Sequence, residues 1–253
     1  MMDSLSALSL GVLAGCMLAL VAGGFVKGVT GMGLPLLAAP VLASVIPPPQ
    51  ALALLAGPSL VTSAWQMVAT GHFRASVLRV WPLFAGVAIG VSLSARLLVT
   101  IDARHLSLLL GTIVVIYASL FFRRLVFDIP PRHERWIGFV TGIASGAIGA
   151  VSLFFGPVFM MYLSSLRLSK EPLIAAVSVT NVWCALVFMI ALARYDILDG
   201  AGLVAATIAL VPSLAGLVLG IWLRHRIREA AFRRILAVAL LVVGLNLVRL
   251  GLT

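Results

Sequence analysis

No lysine, arginine, aspartate or glutamate interrupts residues 5–26, 28–71, 80–95, 106–122, 136–166, 172–193, 200–223 or 235–248. Roughly 20 apolar residues suffice to cross a bilayer as helix. The chain has 253 residues, of which 62% are hydrophobic and 10% charged. Soluble domains carry about 25% charged residues, so these runs have no aqueous surface to fold under. A transmembrane barrel would show short alternating segments instead. The reading is an all-α polytopic membrane protein.

The formal net charge is +10, which invites a nucleic-acid partner. The basic residues lie between the apolar runs, however, and no nucleic acid is expected. They read as topology signals and contacts to anionic lipid. The opening Met1-Met2-Asp3 lacks the basic flank of a cleaved signal peptide, so the first segment is expected to stay in the mature protein. Cys16 and Cys184 lie in apolar runs and are expected as buried small hydrophobes without a disulfide.

Gly24-Phe25-Val26-Lys27-Gly28 recurs, 114 positions on, as Gly138-Phe139-Val140-Thr141-Gly142. Internal duplication in so hydrophobic a chain points to two pseudo-symmetric halves, drawn at 1–124 and 125–253. Each half reads as five apolar pieces: 5–26, 32–46, 50–70, 77–99 and 104–122, then 136–150, 152–166, 172–193, 200–223 and 230–250. The first two pieces of each half are short or broken by glycine. Residues 136–166 give about 46 Å of helix, short of two ~30 Å crossings. The pair is a hairpin turning within the membrane or two short tilted helices.

Loop charges set the orientation. With Arg123, Arg124, Arg132 and Arg135 cytoplasmic, 13 of the 18 lysines and arginines fall on that side. Both termini then face outward. Each half has an odd number of passes, so the halves insert in opposite directions: two inverted-topology repeats, each a glycine-broken hairpin plus three spanning helices. Gly86-x3-Gly90-x5-Arg96 also corresponds to Gly216-x3-Gly220-x5-Arg226. Small residues four apart let helices approach closely, and packing is the reading preferred for these glycines.

Gly28-x2-Gly31-x-Gly33, Pro40 and Pro49-x3-Ala53 resemble the signature of the sulfite exporter TauE/SafE family, bacterial permeases of similar length. The second half offers Gly142, Gly146, Gly149, Pro157 and Pro172-x3-Ala176-x3-Thr180. The resemblance implies an inner-membrane transporter, with export as its direction, for small sulfur-containing or carboxylate anions such as sulfite or organosulfonates. Where that family usually has three consecutive glycines, this chain has Gly33-Leu34-Pro35 and Val151-Ser152-Leu153.

An anion inside a bilayer needs donors and positive potential. Half-helix N-termini at the glycine-rich breaks would supply both. Candidate substrate-binding residues are therefore Lys27, Gly28, Thr30, Gly31, Gly33, Ser145, Gly146, Gly149 and Ser152, with Thr30, Ser145 and Ser152 expected in the breaks and Pro35 and Pro157 reinforcing them. Lys27 is the only charge between Asp3 and Arg74. A mid-membrane lysine costs about 2.5–3.5 kcal/mol on insertion scales, which suggests pairing with an anionic substrate. The competing reading has Lys27 near a hairpin end, snorkelling to the headgroups.

Ser59, Thr62, Ser63 and Gln66 share one helix face by spacing. Ser178, Thr180 and Asn181 cluster similarly. Gln66, Thr180 and Asn181 join the candidate site, with interhelical packing an equal alternative for the two amides. Packing is preferred for the isolated serines. Trp65 and Trp183 either wall the pathway or, as preferred, fill the core.

All eight acidic residues fall at span ends or in loops, as do the four histidines. A carboxylate proton relay and cation transport are disfavoured. No metal-ligand cluster, nucleotide-binding loop or acid–base pair appears, so no cofactor is expected. The function expected is a secondary transporter for small anions, embedded in the lipid bilayer and compatible with a homo-oligomer. The rivals are an intramembrane enzyme and a non-transporting scaffold subunit.

Overall fold

The structure, a computed structural model, describes residues 10–70, 73–120, 129–166, 168–197, 200–224, 226 and 229–252. The position drawn between the halves at 124/125 lies outside them. So do several charged groups used in the topology count or placed at span ends: Asp3, His72, Arg123, Arg124, Asp128, Arg167, Asp199, His225 and Arg228. Every regular element described is helical: α1 (Leu10–Thr30), α2 (Leu34–Ala43), α3 (Pro48–Thr70), α4 (Phe73–Ser94), the single turn α5 (Leu97–Thr100), α6 (Ala103–Leu120), a 3₁₀ turn at Pro131–His133, α7 (Glu134–Ser152), α8 (Gly156–Ser165), α9 (Lys170–Arg194), α10 (Gly200–Leu223) and α11 (Glu229–Leu252). Six of them, α1, α3, α4, α9, α10 and α11, are long and apolar enough to cross a membrane.

The apolar pieces and the helices agree closely, and the exceptions have physical causes. The duplicated glycines do not break their helices. Gly24 and Gly28 lie inside α1, and Gly142, Gly146 and Gly149 inside α7. The chain breaks later, at residues 31–33 and 153–155. Gly31 and Gly33 take φ of 80° and 110°, a region that favours glycine. Leu153 ends α7 at φ 60°, its N–H bonding the Gly149 carbonyl at 2.7 Å. Pro35 and Pro157 stand in the first turns of α2 and α8, where a missing N–H is not needed. Each hairpin thus pairs a long first helix with a 10-residue second one, about 15 Å, or half a bilayer.

The glycines inside α1 and α7 serve close crossings. A Cβ on Gly24 would lie 2.1 Å from the Ser213 carbonyl, and one on Gly28 2.3 Å from that of Leu217. A Cβ on Gly142 would lie 2.3 Å from the Leu83 carbonyl, and one on Gly146 2.4 Å from that of Val87. α1 therefore lies backbone to backbone on α10, and α7 on α4. Both pairs run parallel, because contacts advance in the same direction along each partner. The Gly86/Gly90 and Gly216/Gly220 motifs supply the facing surfaces, as the packing reading expects.

The contacts recur every four residues along both pairs, so they fit two registers between the halves. Gly24 touches Ser213 and Leu217 as Gly142 touches Leu83 and Val87, and Gly28 and Gly146 follow four residues on. Gly28 likewise meets Leu217, Gly220 and Ile221 as Gly142 meets Leu83, Gly86 and Val87, which is the register of the duplicated pentapeptide.

Some further pairings have counterparts in both halves, whereas α2 packs on α11 with no comparable packing of α8 on α6 among the described residues. α3 packs on α9, and α6 on α11; α3 on α10 is matched by α9 on α4. α6 and α11 are antiparallel, with Gly111 against Gly244 and the Arg104 guanidinium donating to the Gly251 and Leu252 carbonyls. The core runs through α2, the first turns of α3 and the middle of α9, where Leu34, Leu42, Ala51, Leu52, Leu55 and Phe188 are inaccessible. Trp81, Val211, Trp222 and Val242 face outward, as helices in lipid require.

Candidate functional site

Lys27 is 3% exposed and is the one charged residue among the buried side chains described. It does not snorkel. Its ammonium turns inward to α3 and donates to the Ser59 carbonyl (3.3 Å), Thr62 Oγ1 (2.9 Å) and Ser63 Oγ (2.6 Å). The α3 register creates this cluster. Residues 59, 62 and 63 sit on one face, and proline at 58 leaves its turn without a backbone N–H. The Thr62 hydroxyl donates to the Pro58 carbonyl at 2.6 Å, and Ser63 to the Ser59 carbonyl at 2.6 Å. With their protons spent on carbonyls, both oxygens present lone pairs to the ammonium.

Ser59 to Ser63 lie 7 to 11 residues from the end of α3, on the order of 10–16 Å inside it. The charge is therefore held well within the span. Gln66 lies one turn along and donates to the Lys27 carbonyl at 3.5 Å. Gln66 Oε1 and the Ser59 hydroxyl are buried without partners.

The other expected residues divide between two breaks. Thr30 closes α1; its hydroxyl donates to the Val26 carbonyl at 2.8 Å and lies against that of Met32. Gly31 and Gly33 form the turn that follows. In the second half, Ser145 sits mid-α7, where a place in the break was expected, because the glycines around it pack and do not unwind. Its hydroxyl donates to the Phe155 carbonyl at 2.7 Å. Ser152 ends α7, donates to the Ile148 carbonyl at 2.6 Å and receives the Phe154 N–H at 3.1 Å. Gly149 lies under the Phe155 ring, which meets Phe188 edge-on at 6.1 Å. A buried lysine thus lies one helical turn before the first break, whereas aromatic rings close the second.

Thr180 and Asn181 lie on α9, which packs against α3. Thr180 bonds its own helix at the Ala176 carbonyl (2.7 Å). The Asn181 Nδ2 amide is buried without a partner. Neither residue is among the acceptors of Lys27. Trp183 fills the α9–α4 contact, donating to the Phe84 carbonyl at 2.9 Å, whereas Trp65 is 56% exposed on the outer face.

A second polar cluster escaped the sequence reading. Arg79, at the start of α4, holds Glu134, at the start of α7, through two bonds of 2.8 and 3.1 Å. It also donates to the Leu166 carbonyl beyond α8 at 3.3 Å, and Tyr162 reaches the Glu134 carbonyl at 3.2 Å. The only signal in sequence was that both charges fall at span ends on the side counted as cytoplasmic. Among the described residues, no group of three His, Cys, Asp or Glu side chains is arranged to hold a metal.

The site is a buried ammonium among hydroxyls, in a helical membrane protein whose glycine pattern resembled one family of permeases. The family model described as sulfite exporter TauE/SafE matches residues 16–247. The chain belongs to the TauE/SafE sulfite exporter family. Comparison with curated proteins and with solved structures gave no match. Membership identifies a transporter family and fits a multi-pass membrane protein that handles a small anion.

Proposed function

We propose that this TauE/SafE protein is a secondary transporter that exports small anions across the bacterial inner membrane, with sulfite, organosulfonates and related sulfur-containing or carboxylate species as its substrates. The observation that carries the reading is Lys27, a cation deep within the span and surrounded only by neutral acceptors. A buried charge of this kind marks a substrate pathway by default.

Two inverted repeats, 1–124 and 125–253, form the carrier. Supporting this, α1 runs parallel to α10, and α4 to α7. Successive elements alternate in direction, so the first element of one half parallels the fourth of the other only when the halves are inserted oppositely. Substrate exchanges sides by alternating access at the interface of the halves. Opening separates the α1–α2 tip from α3 and frees Lys27, Thr62 and Ser63 for the anion. Gln66 and Asn181 supply further polar contacts from α3 and α9. Both termini face outward, as the loop charges require.

The test is uptake into proteoliposomes of labelled sulfite, sulfoacetate, taurine and small carboxylates. Saturable flux of one of these, competed by its unlabelled form, is the expected result. No flux of any of them from monodisperse protein would leave the transport reading without support.

A further inference from the structure

The ammonium of Lys27 has three N–H donors, and each has a neutral acceptor. No carboxylate takes part. The ion pairs found among the described residues, Arg79–Glu134 and His105–Asp102, lie at helix ends. Neutral oxygens solvate an ammonium without cancelling its charge. Ser145, the buried candidate in α7, is neutral and bonded to a carbonyl. Among the described residues, Lys27 is therefore the one buried lysine or arginine, and no buried carboxylate accompanies it.

We infer that Lys27 is the counter-charge for a substrate that binds as a monovalent oxyanion, so that the loaded site is neutral and the empty site carries the +1. The inference rests on the reading of this site as an anion carrier. It has two consequences. A dianion would leave an uncancelled negative charge in a low-dielectric interior, which is strongly disfavoured. Hydrogensulfite or a monosulfonate is therefore the bound species, and sulfate is rejected. The membrane potential, moreover, acts on the empty carrier and not on the loaded one. With the cell interior negative, return of the empty +1 site toward the inside is the favoured step. Each cycle moves one negative charge outward, and no coupling ion is required.

The experiment uses the full chain in proteoliposomes, with a potassium gradient and valinomycin setting the potential. Labelled sulfite is supplied on the acid side of its second ionisation. Net efflux is expected to change with potential by up to about fiftyfold per roughly 100 mV for one full charge. One-for-one exchange, with sulfite on both sides, is expected to change less than about twofold. Excess sulfate should compete far more weakly than methanesulfonate. Equal voltage sensitivity in both modes, insensitivity in both, or sulfate competing as well as methanesulfonate would overturn the inference and leave the carrier standing. Absence of sulfite flux in either mode would remove the carrier reading for sulfite and this inference with it.

Discussion

Lys27 is held by groups that do not need it. Thr62 and Ser63 already donate to α3 carbonyls, so removing the ammonium leaves both hydroxyls satisfied. Replacing a buried ion by an apolar side chain of similar volume is often neutral or stabilising. Lys27→Met is therefore expected to cut anion flux at least tenfold while the melting temperature in detergent stays level or rises. A large fall in melting temperature would assign Lys27 to structure. Trp183→Phe removes the bond to the Phe84 carbonyl and is expected to cost about 1 kcal/mol, readable as a lower melting temperature with flux retained. Lys27 stands out in the sequence by its isolation in a long uncharged stretch. Its partners were legible only as a helical face: spacing put residues 59, 62 and 63 together, but nothing in the sequence said that α1 would turn a lysine toward them.

The glycines of α1 and α7 were read as breaks and proved to be contact points. Glycine permits both an unwound turn and a close crossing, and sequence alone does not separate the two. The facing backbone separates them. Gly28→Ala drives a Cβ to 2.3 Å from the Leu217 carbonyl, and Gly142→Ala does the same to that of Leu83. Each is expected to destabilise by about 1–3 kcal/mol. Gly15→Ala meets nothing within 4 Å and should be neutral or gain up to about 1 kcal/mol from helix propensity. Thermal unfolding in detergent compares the three; equal behaviour would contradict the crossings. Glycines recur every four residues along these helices, so two registers between the halves fit both the letters and the contacts.

For the chain as a whole, the order of the longer helices was readable from uncharged run lengths, and the family from glycine and proline spacing; the short turn α5 was not. The half-length of α2 and α8 is not legible in sequence, because the 31 residues from 136 to 166 accommodate either a hairpin turning within the membrane or two short tilted helices. The orientation makes a further prediction. Cys16 and Cys184 are buried, so the parent protein gives little background to a membrane-impermeant thiol reagent. Leu252→Cys is expected to label from outside the cell, and Arg132→Cys only after the membrane is opened. The reverse pattern would contradict the outward termini. The most direct measurement of all is thermal stabilisation of the purified protein by hydrogensulfite and methanesulfonate, with Lys27→Gln beside the parent. A saturable rise in melting temperature for the parent and none for Lys27→Gln is the predicted result. An equal rise in both proteins would place the anion somewhere other than Lys27.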